Sequence, residues 1–371
     1  MINSKKFISI FTNLGIKYFT GVPDSVLNSF IKDLNKVKKI EHNPTINEGS
    51  AIGLGVGYYL STKKIPLIYM QNSGLCNALN PILSLVDEKV FSIPQIILVG
   101  RRGAPGIKDE PQHAKIGPKT LNLLKSLDLM FFDLNKCKSF KEVERIIKKS
   151  ILIAKKFNKP VFLIVNKNFF ENKNSKKENI SNSKLCKRIT YLDCLLKNKS
   201  NKNSIFFSSL GNISREIFYL NTIEKRDHKR FFYTIGAMGH VSQIAIAFKR
   251  FQNKKEVVII DGDGSVQMQL GNLLKIGKSN LKILHIVFDN SCHESTGGHE
   301  LGALNLNYEK LFKAVGYNHV KIIKSINNFE KEINKKFTKS KAIIIKIQAG
   351  TVANLPRPNI TPNKLKKLFI S

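Results

Sequence analysis

The sequence has no tryptophan and few acidic residues: 27 Asp and Glu stand against 61 Lys and Arg, for a formal net charge of +34. Its five cysteines, an odd number without a Cys-x-x-Cys pair, predict neither a zinc site nor a disulfide framework. They are Cys76, Cys137, Cys186, Cys194 and Cys292. No apolar run approaches the ~18 residues of a membrane span, and no apolar stretch follows the lysines near Met1. We therefore expect a cytoplasmic protein that is neither exported nor integral to a membrane.

A large excess of positive charge is common in proteins that bind nucleic acids or anionic membranes. Here the lysines are spread along the whole chain among many Asn and Ile residues. They do not form the arginine-rich or aromatic-interleaved patches that are typical of nucleic-acid sites. We expect no nucleic-acid partner, and we interpret the charge as a positive field that favours anionic substrates.

The pattern of apolar runs predicts an α/β fold with two domains. Short apolar runs alternate with helical patterns, which is typical of a parallel sheet flanked by helices. Predicted helices are Lys5 to Leu14, Gly49 to Leu60, Phe140 to Lys156 and Val266 to Gly277. Predicted strands are Tyr18 to Thr20, Pro66 to Gln71, Gln95 to Val99, Val161 to Val165, Ser204 to Ser208, Arg230 to Tyr233, Glu256 to Asp261, Lys282 to Phe288 and Ala342 to Ile347.

A stretch rich in Lys, Asn and Ser interrupts this rhythm near the middle of the chain, as expected of a surface linker. We predict a first domain over residues 1–166, a linker over 167–187 and a second domain over 188–371. Each domain is expected to be a doubly wound parallel sheet, and a chain of 371 residues has room for two such cores.

Two loops in the second domain carry a candidate phosphate and metal site. Gly262-Asp263-Gly264-Ser265 follows one buried strand, and Asn290 follows the next, 27 positions after Asp263. Loops at the carboxyl ends of adjacent parallel strands share one crevice, and glycines beside a helix amino terminus suit a diphosphate. A Gly-Asp-Gly turn alone is common turn chemistry. The paired spacing resembles the motif of the thiamine diphosphate-dependent decarboxylase superfamily.

Magnesium prefers oxygen ligands in near-octahedral geometry. Asp263, Asn290 and the backbone carbonyl of Cys292 are the candidate protein ligands, and phosphate oxygens and a water would complete the shell. The resemblance therefore implies two cofactors, thiamine diphosphate and Mg²⁺, with Gly262, Gly264 and Ser265 beside the diphosphate.

The same resemblance assigns a role to Glu48, which opens a glycine-rich segment of the first domain. In that superfamily a glutamate hydrogen-bonds to the pyrimidine ring of the cofactor and so activates the thiazolium carbon. An isolated Glu at this place would be interpreted as a first-turn residue that interacts with the helix dipole. Poor hydration would raise the pKa of this carboxyl.

Several further segments, which run nearly the full length of the chain, resemble the phosphonopyruvate decarboxylase family. They are Thr20 to Ser25, Tyr69 to Leu75, Gly100 to Gly117, Ser208 to Phe218, Gly236 to Phe248 and Cys292 to Glu300. The resemblance implies decarboxylation of 3-phosphonopyruvate to phosphonoacetaldehyde and CO₂ in phosphonate (aminoethylphosphonate) biosynthesis. It also implies at least a homodimer, with each active site formed between subunits. Met238 matches a residue that supports the bent cofactor, although ordinary core filling explains it equally well.

A small anionic 2-oxo acid needs cationic and hydrogen-bonding groups around it. Ser25, Arg102 and Lys108 are the candidate phosphonate partners. His113 and His293 are candidates for proton transfer, with Asp24 orienting one of them. Each also has an ordinary interpretation as a solvated or helix-capping residue.

Three positions depart from the family pattern: Arg101, the Ser291-Cys292 pair and His299. Arg101 and His299 are expected near the substrate entrance, so they bear on the choice of substrate. Sulfopyruvate decarboxylase, or another 2-oxo acid decarboxylase of the superfamily, is the alternative. The two domains of sulfopyruvate decarboxylase are often separate chains, and on that ground the fusion of the two domains here disfavours sulfopyruvate decarboxylase.

Two other classes of protein fit less well. A nicotinamide dehydrogenase would need a Gly-x-Gly-x-x-Gly segment after the first strand, and the sequence has none. A catalytically inactive binding protein would not be expected to keep Glu48, Asp263 and Asn290 together.

Overall fold

The structure is a computed structural model that describes residues 1–171 and 185–371. These residues divide into two compact units. The first contains residues 1–171 together with Thr296–Ala303, and the second contains residues 185–295 together with Leu304–Ser371. Most of the predicted linker, 167–187, lies outside the described residues, so the domain boundaries stay predictions. The short segment Thr296–Ala303 departs from the continuous second domain that we expected.

Each unit contains a six-stranded parallel sheet among the described residues. The strands of the first sheet are β1 (Tyr18–Gly21), β2 (Glu41–Pro44), β3 (Leu67–Gln71), β4 (Ile96–Arg101), β5 (Phe131–Asp133) and β6 (Val161–Asn166). Those of the second are β7 (Ile205–Ser208), β8 (Phe231–Tyr233), β9 (Val257–Gly262), β10 (Ile283–Asp289), β13 (His319–Ile323) and β14 (Lys341–Lys346). The first sheet has the order β2-β1-β3-β4-β6-β5, and the second has the order β13-β14-β10-β9-β7-β8. The two-residue strands are β11 (Cys292–His293) and β12 (His299–Glu300).

Helices connect these strands. Those of the first unit are α1 (Ser4–Asn13), α2 (Asn28–Leu34), α3 (Glu48–Thr62), α4 (Leu75–Pro81), α5 (Ile116–Ser126) and α6 (Phe140–Phe157). Those of the second are α7 (Arg188–Lys197), α8 (Asn212–Ile223), α9 (Val241–Phe251), α10 (Asp263–Met268), α11 (Asn272–Gly277), α12 (Tyr308–Ala314), α13 (Ile326–Ile333) and α14 (Pro362–Ile370). Within the part of the chain that the structure describes, no helix is both long and apolar enough to cross a membrane.

Apolar side chains pack on both faces of each sheet. Since alternate residues along a strand point to opposite faces, neighbouring residues of one strand belong to different cores. In β3, Tyr69 packs into a core with Phe7 of α1, whereas Ile68 packs into a second core with Ile52 of α3. The second unit follows the same rule. In β9, Ile260 joins one core and Ile259 joins the other.

The predicted fold class, two doubly wound parallel sheets, is confirmed. The nine predicted strands correspond to strands of the structure within one residue or two at each end. One helix prediction is wrong: Val266 to Gly277 is not continuous, since α10 already begins at Asp263 and ends at Met268. The chain leaves helical geometry at Gln269, with φ −131° and ψ 54°, and resumes at α11.

Candidate active site

Three neighbouring strands of the first unit, β1, β3 and β4, end at the same edge of the sheet, where open α/β sheets bind ligands. Asp24 follows β1, and its carboxylate accepts hydrogen bonds from Gln71 Nε2 at 2.5 Å and from the backbone N–H of Val26 at 3.1 Å. The side chain is only 1% exposed. Burial raises the pKa of Asp24 to about 6, although the Gln71 hydrogen bond and the charge of Arg102 oppose the shift.

Asp24 was predicted to orient a histidine. The hydrogen bonds that the structure gives it come from Gln71 and from backbone N–H groups. His113 lies in the loop after β4, and burial and the nearby charge of Arg102 lower the pKa of its imidazole. Both groups belong to the first unit, and their roles in proton transfer stay predictions.

The structure brings two of the three predicted phosphonate partners together. Arg102 Nη1 donates to Ser25 Oγ at 3.0 Å. Lys108 is exposed in the loop after β4, and no hydrogen bond or ion pair joins it to Ser25 or Arg102 in the described residues. The sequence did not reveal the role of Asp109. Its carboxylate accepts a hydrogen bond from Arg102 Nε at 2.7 Å and another from Nη2.

Asp109 fixes the direction of the Arg102 guanidinium, because a two-point contact between planar groups allows little rotation. Burial opposes the charge on Asp109, but the hydrogen bonds and charge of Arg102 outweigh it and hold the pKa of this carboxyl well below its usual range. The backbone N–H of Gly103 donates to the same carboxylate at 2.9 Å. The sequence held two signals of Asp109: it lies in the Gly100 to Gly117 segment that resembles the family, and it stands seven positions after Arg102.

Arg101 was expected near the substrate entrance. Its side chain is 5% exposed, and its Nε donates to the carbonyl oxygen of Gly117 at 2.8 Å. This contact ties the end of β4 to the beginning of α5. The structure therefore gives Arg101 a packing role within the first unit.

Glu48 is the first residue of α3, directly after the helix-capping residue Asn47. Its side chain is 5% exposed, and its Oε2 accepts a hydrogen bond from Asn77 Nδ2 at 2.9 Å. Burial raises the pKa of Glu48, while the Asn77 hydrogen bond opposes the shift. A Cβ atom on Gly74 would lie 2.2 Å from Glu48 Oε1, so only glycine allows this approach. The sequence analysis named Gly74 only as part of the Tyr69 to Leu75 segment, and it did not reveal the contact of Gly74 or of Asn77 with Glu48.

In the second unit, β9 and β10 are neighbours, and the loops that follow them meet. Asp263 Oδ2 accepts hydrogen bonds from the backbone N–H groups of Asn290 at 3.0 Å and Ser291 at 2.7 Å. Its other oxygen accepts from the backbone N–H of Gly264 at 2.8 Å. Asn290 Oδ1 in turn accepts from the backbone N–H of Cys292 at 3.2 Å. The three predicted metal ligands therefore lie in two neighbouring loops that hydrogen bonds join.

The electrostatics of these two loops suit a cation. Burial, together with the charge of Asp289, raises the pKa of Asp263 to about 7. A divalent cation would relieve both effects, because it stabilises the ionised form. Burial also raises the pKa of the Cys292 thiol to about 12, which leaves its carbonyl as the useful ligand. Lys346 binds Asp289, a contact that the sequence did not reveal.

A site built from one carboxylate, one carboxamide and one carbonyl differs from the common clusters of charged ligands. No group of three or more His, Cys, Asp or Glu side chains able to hold a metal occurs in residues 1–171 or 185–371. The oxygen donors around Asp263 are of the kind that Mg²⁺ prefers and soft metals do not.

The turn that carries Met238 is joined to the Gly-Asp-Gly-Ser turn. The backbone N–H of Gly239 donates to Ser265 Oγ at 3.1 Å. Gly262, three residues before Ser265, ends β9. Met238 is partly buried between Ala237, with φ 54°, and Gly239, with φ 86°. A left-handed backbone at a non-glycine residue is uncommon and is concentrated at functional turns.

Two histidines remain. His293 follows Cys292 and is 9% exposed, and burial lowers the pKa of its imidazole to about 4, so it is neutral at neutral pH. His299 belongs to the segment that groups with the first unit, where its Nε2 lies 3.0 Å from Asn28 Oδ1. That contact gives His299 a role in seating the segment.

Comparison with known proteins places this geometry in a family. Residues 4–121 match the N-terminal TPP binding domain of thiamine pyrophosphate enzymes, and residues 210–347 match their C-terminal TPP binding domain. A phosphonopyruvate decarboxylase from Streptomyces viridochromogenes is 26% identical over 100% of this chain and 94% of its own length.

Sulfopyruvate decarboxylases are similar too. The protein of that name from Methanosarcina acetivorans is 25% identical over 98% of this chain and 96% of its own length. The beta subunit from Methanocaldococcus jannaschii is 33% identical over 43% of this chain and 81% of its own length. The chain therefore belongs to the thiamine pyrophosphate enzymes and is a thiamine diphosphate-dependent 2-oxo acid decarboxylase.

Proposed function

We propose that this decarboxylase converts 3-phosphonopyruvate to phosphonoacetaldehyde and CO₂, with Mg²⁺ as the second cofactor. The observation that carries the proposal is the similarity to phosphonopyruvate decarboxylases over the full length of the chain. The net charge of +34 supports it, because a positive field attracts a substrate that bears both a carboxylate and a phosphonate. The product would feed phosphonate biosynthesis.

Ser25 and Arg102 are the proposed phosphonate-binding pair. The Arg102 guanidinium donates one hydrogen bond to Ser25 and two to Asp109. Since a guanidinium has five N–H groups, two N–H groups remain for a substrate. Lys108 is exposed in the same loop and would supply a further positive charge.

Asp263, Asn290 and the Cys292 carbonyl are the proposed ligands of Mg²⁺. Gly262, Gly264, Ser265 and Met238 would lie beside the cofactor. When bound, thiamine diphosphate supplies an electron sink for the pair of electrons that remains when CO₂ leaves. The raised pKa of Glu48 suits it to hold a proton at its carboxyl and share it with a ring nitrogen. Asp24, His113 and His293 are the proposed groups for proton movement at the substrate.

We also propose that the active site is shared, with Glu48 from one subunit and Asp263 from another. The outer side of α3 supports this assignment. A groove of about 740 Å³ runs along it, lined by residues that include Ser50, Gly53, Leu54 and Gly57. A Cβ atom on Gly53 or Gly57 would meet no other atom within 4 Å, so small residues here leave room for another chain.

Complementation tests the shared site. Glu48→Gln and Asp263→Asn variants should each be nearly inactive alone. Mixed at equal amounts and reassembled as random dimers, they should recover about a quarter of the wild-type activity, since one dimer in two would contain one intact site of two. Recovery of none would show that both residues act within one chain.

The substrate is tested by ³¹P NMR of 3-phosphonopyruvate incubated with the protein, thiamine diphosphate and Mg²⁺. We expect the phosphonopyruvate signal to be replaced by that of phosphonoacetaldehyde, and we expect no change when either cofactor is omitted. Persistence of the substrate signal with both cofactors present would refute the proposed substrate.

Sulfopyruvate decarboxylation is the second candidate. We expected the fusion of the two domains to disfavour this candidate. It does not, because a sulfopyruvate decarboxylase aligns with 98% of this chain. The two substrates differ in charge: a phosphonate can carry a second negative charge, and a sulfonate carries one. Arg102 and Lys108 would discriminate between them through that difference.

A further inference from the structure

A single loop of the second unit, residues 289–295, carries two of the proposed metal ligands, Asn290 and Cys292. Its beginning is fixed, because the backbone N–H groups of Asn290 and Ser291 both donate to Asp263. Ser291 has a left-handed backbone, with φ 58°. This conformation is unfavourable for a residue with a side chain, so surrounding contacts must stabilise the loop.

Glu294 provides such contacts at the far end of the loop. Its Oε2 accepts hydrogen bonds from Arg188 Nη1 at 2.9 Å and from Asn212 Nδ2 at 3.3 Å. Its Oε1 accepts one from the backbone N–H of Gly350. These partners come from α7, α8 and the segment after β14, so three separate parts of the unit hold one carboxylate.

Arg188 is itself held rigidly. It is 4% exposed and makes a two-point contact with Glu216, with Nε to Oε2 at 2.8 Å and Nη2 to Oε1 at 3.1 Å. Glu216 is 1% exposed and also accepts from Thr351 Oγ1 at 2.7 Å. A buried pair of this geometry leaves the guanidinium little freedom, and its third contact is directed at Glu294.

We infer that Glu294 is a positioning residue for the proposed metal site. Glu294 is two residues after Cys292, a distance that an extended chain covers in about 7 Å. Contacts that fix Glu294 therefore restrict where the Cys292 carbonyl and the Asn290 side chain can lie. Residues behind the direct ligands orient them in this way, and their loss typically weakens metal affinity by about 10- to 100-fold. The inference rests on the proposed assignment of Asn290 and Cys292 as ligands.

Two variants separate positioning from general stability. Glu294→Ala removes all three contacts, whereas Glu294→Gln keeps an acceptor for Gly350 but loses the charge opposite Arg188. Glu332→Gln is the matched control. Glu332 is 2% exposed and pairs with Lys341 at 2.9 Å in the same unit. In residues 1–171 and 185–371 its side chain also contacts His319 and Lys335, and it does not contact the loop.

The first measurement is hydrogen–deuterium exchange of the loop peptide in the protein without cofactor. We expect faster exchange over residues 290–295 in Glu294→Ala, a smaller increase in Glu294→Gln, and wild-type exchange in Glu332→Gln. Since neither metal nor substrate is present, this measurement does not depend on the proposed reaction.

The second measurement is the dissociation constant of Mg²⁺, by calorimetry at saturating thiamine diphosphate. It should rise about 10- to 100-fold in Glu294→Ala, and less in Glu294→Gln. Unchanged exchange and unchanged affinity in Glu294→Ala would overturn the inference, as would an equal loss of affinity in Glu332→Gln. Absence of Mg²⁺ binding by the wild-type protein would instead contradict the proposed metal site.

Discussion

Replacement of Asp24 by asparagine should change how stability depends on pH. The carboxyl is 1% exposed, and burial raises its pKa from the ordinary 3.8 to about 6. The folded protein therefore holds this proton more tightly than the unfolded chain does. The bound proton therefore contributes to the free energy of unfolding at low pH. This contribution is lost as the pH rises from 3.8 through about 6.

The size of the effect follows from the shift. A difference of about 2 pKa units corresponds to about 3 kcal/mol of unfolding free energy once the pH is well above 6. Between pH 4.5 and 7, about 2 kcal/mol of this would be lost. An asparagine at this position cannot ionise, so Asp24→Asn should remove this part of the pH dependence. The amide oxygen of the variant can still accept the hydrogen bond from Gln71.

The assay is urea unfolding followed by circular dichroism at several pH values from 4.5 to 7. We expect the wild-type protein to lose about 2 kcal/mol relative to Asp24→Asn over this range. Comparison of the two proteins cancels the titration of all other groups that the substitution leaves undisturbed.

Asp109→Asn is the matched control. The pKa of Asp109 is held low in the folded protein by Arg102, so this group is ionised in both states above pH 5. Its removal should lower stability by a nearly constant amount across the range. If the curve of Asp24→Asn ran parallel to that of the wild type, as the Asp109→Asn curve should, the reasoning about Asp24 would be refuted.

Three further predictions concern the cofactor site. Glu48→Gln should lower turnover by about 100-fold or more, because the amide cannot share a proton with the cofactor, while calorimetry should show thiamine diphosphate still bound. Gly74→Ala should also lower turnover, since its Cβ would lie 2.2 Å from Glu48 Oε1, whereas Gly271→Ala, with open space around it, should not. Mg²⁺ binding measured by calorimetry should weaken as the pH falls below about 7, because the cation must displace the proton of Asp263; constant affinity from pH 8 to 5.5 would contradict its role as ligand.

The sequence predicted the centre of each sheet better than its edges. In the two six-stranded sheets, the strands that were not predicted are β2, β5 and β13, and all three are edge strands. A central strand is buried on both faces and reads as a nearly continuous apolar run, as in β6, where Val161–Val165 are all buried. The edge strand β2 reads Glu-His-Asn-Pro and is largely accessible, so no apolar pattern marks it. Pairing with β1, a long-range property, makes it a strand.

The site was predicted in the same partial way. Glu48, Asp263 and Asn290 lie in motifs with a fixed local spacing, which a sequence displays directly. Their partners do not: Asn77 is 29 positions from Glu48, and Lys346 is 57 positions from Asp289. Such contacts depend on how the elements pack, and a single Asn or Lys carries no pattern that reveals them. The expectation that Arg101 lies near the substrate entrance stays a prediction, and its partner Gly117, 16 positions away, became evident only from the fold.

The competition between two substrates tests the proposed function most directly. Equal concentrations of 3-phosphonopyruvate and sulfopyruvate are incubated with the protein, thiamine diphosphate and Mg²⁺, and the consumption of each is followed in one tube, which gives the ratio of the two kcat/KM values. We predict that phosphonopyruvate is consumed first. Faster consumption of sulfopyruvate would contradict the proposed substrate and would favour sulfopyruvate decarboxylation, the second candidate function.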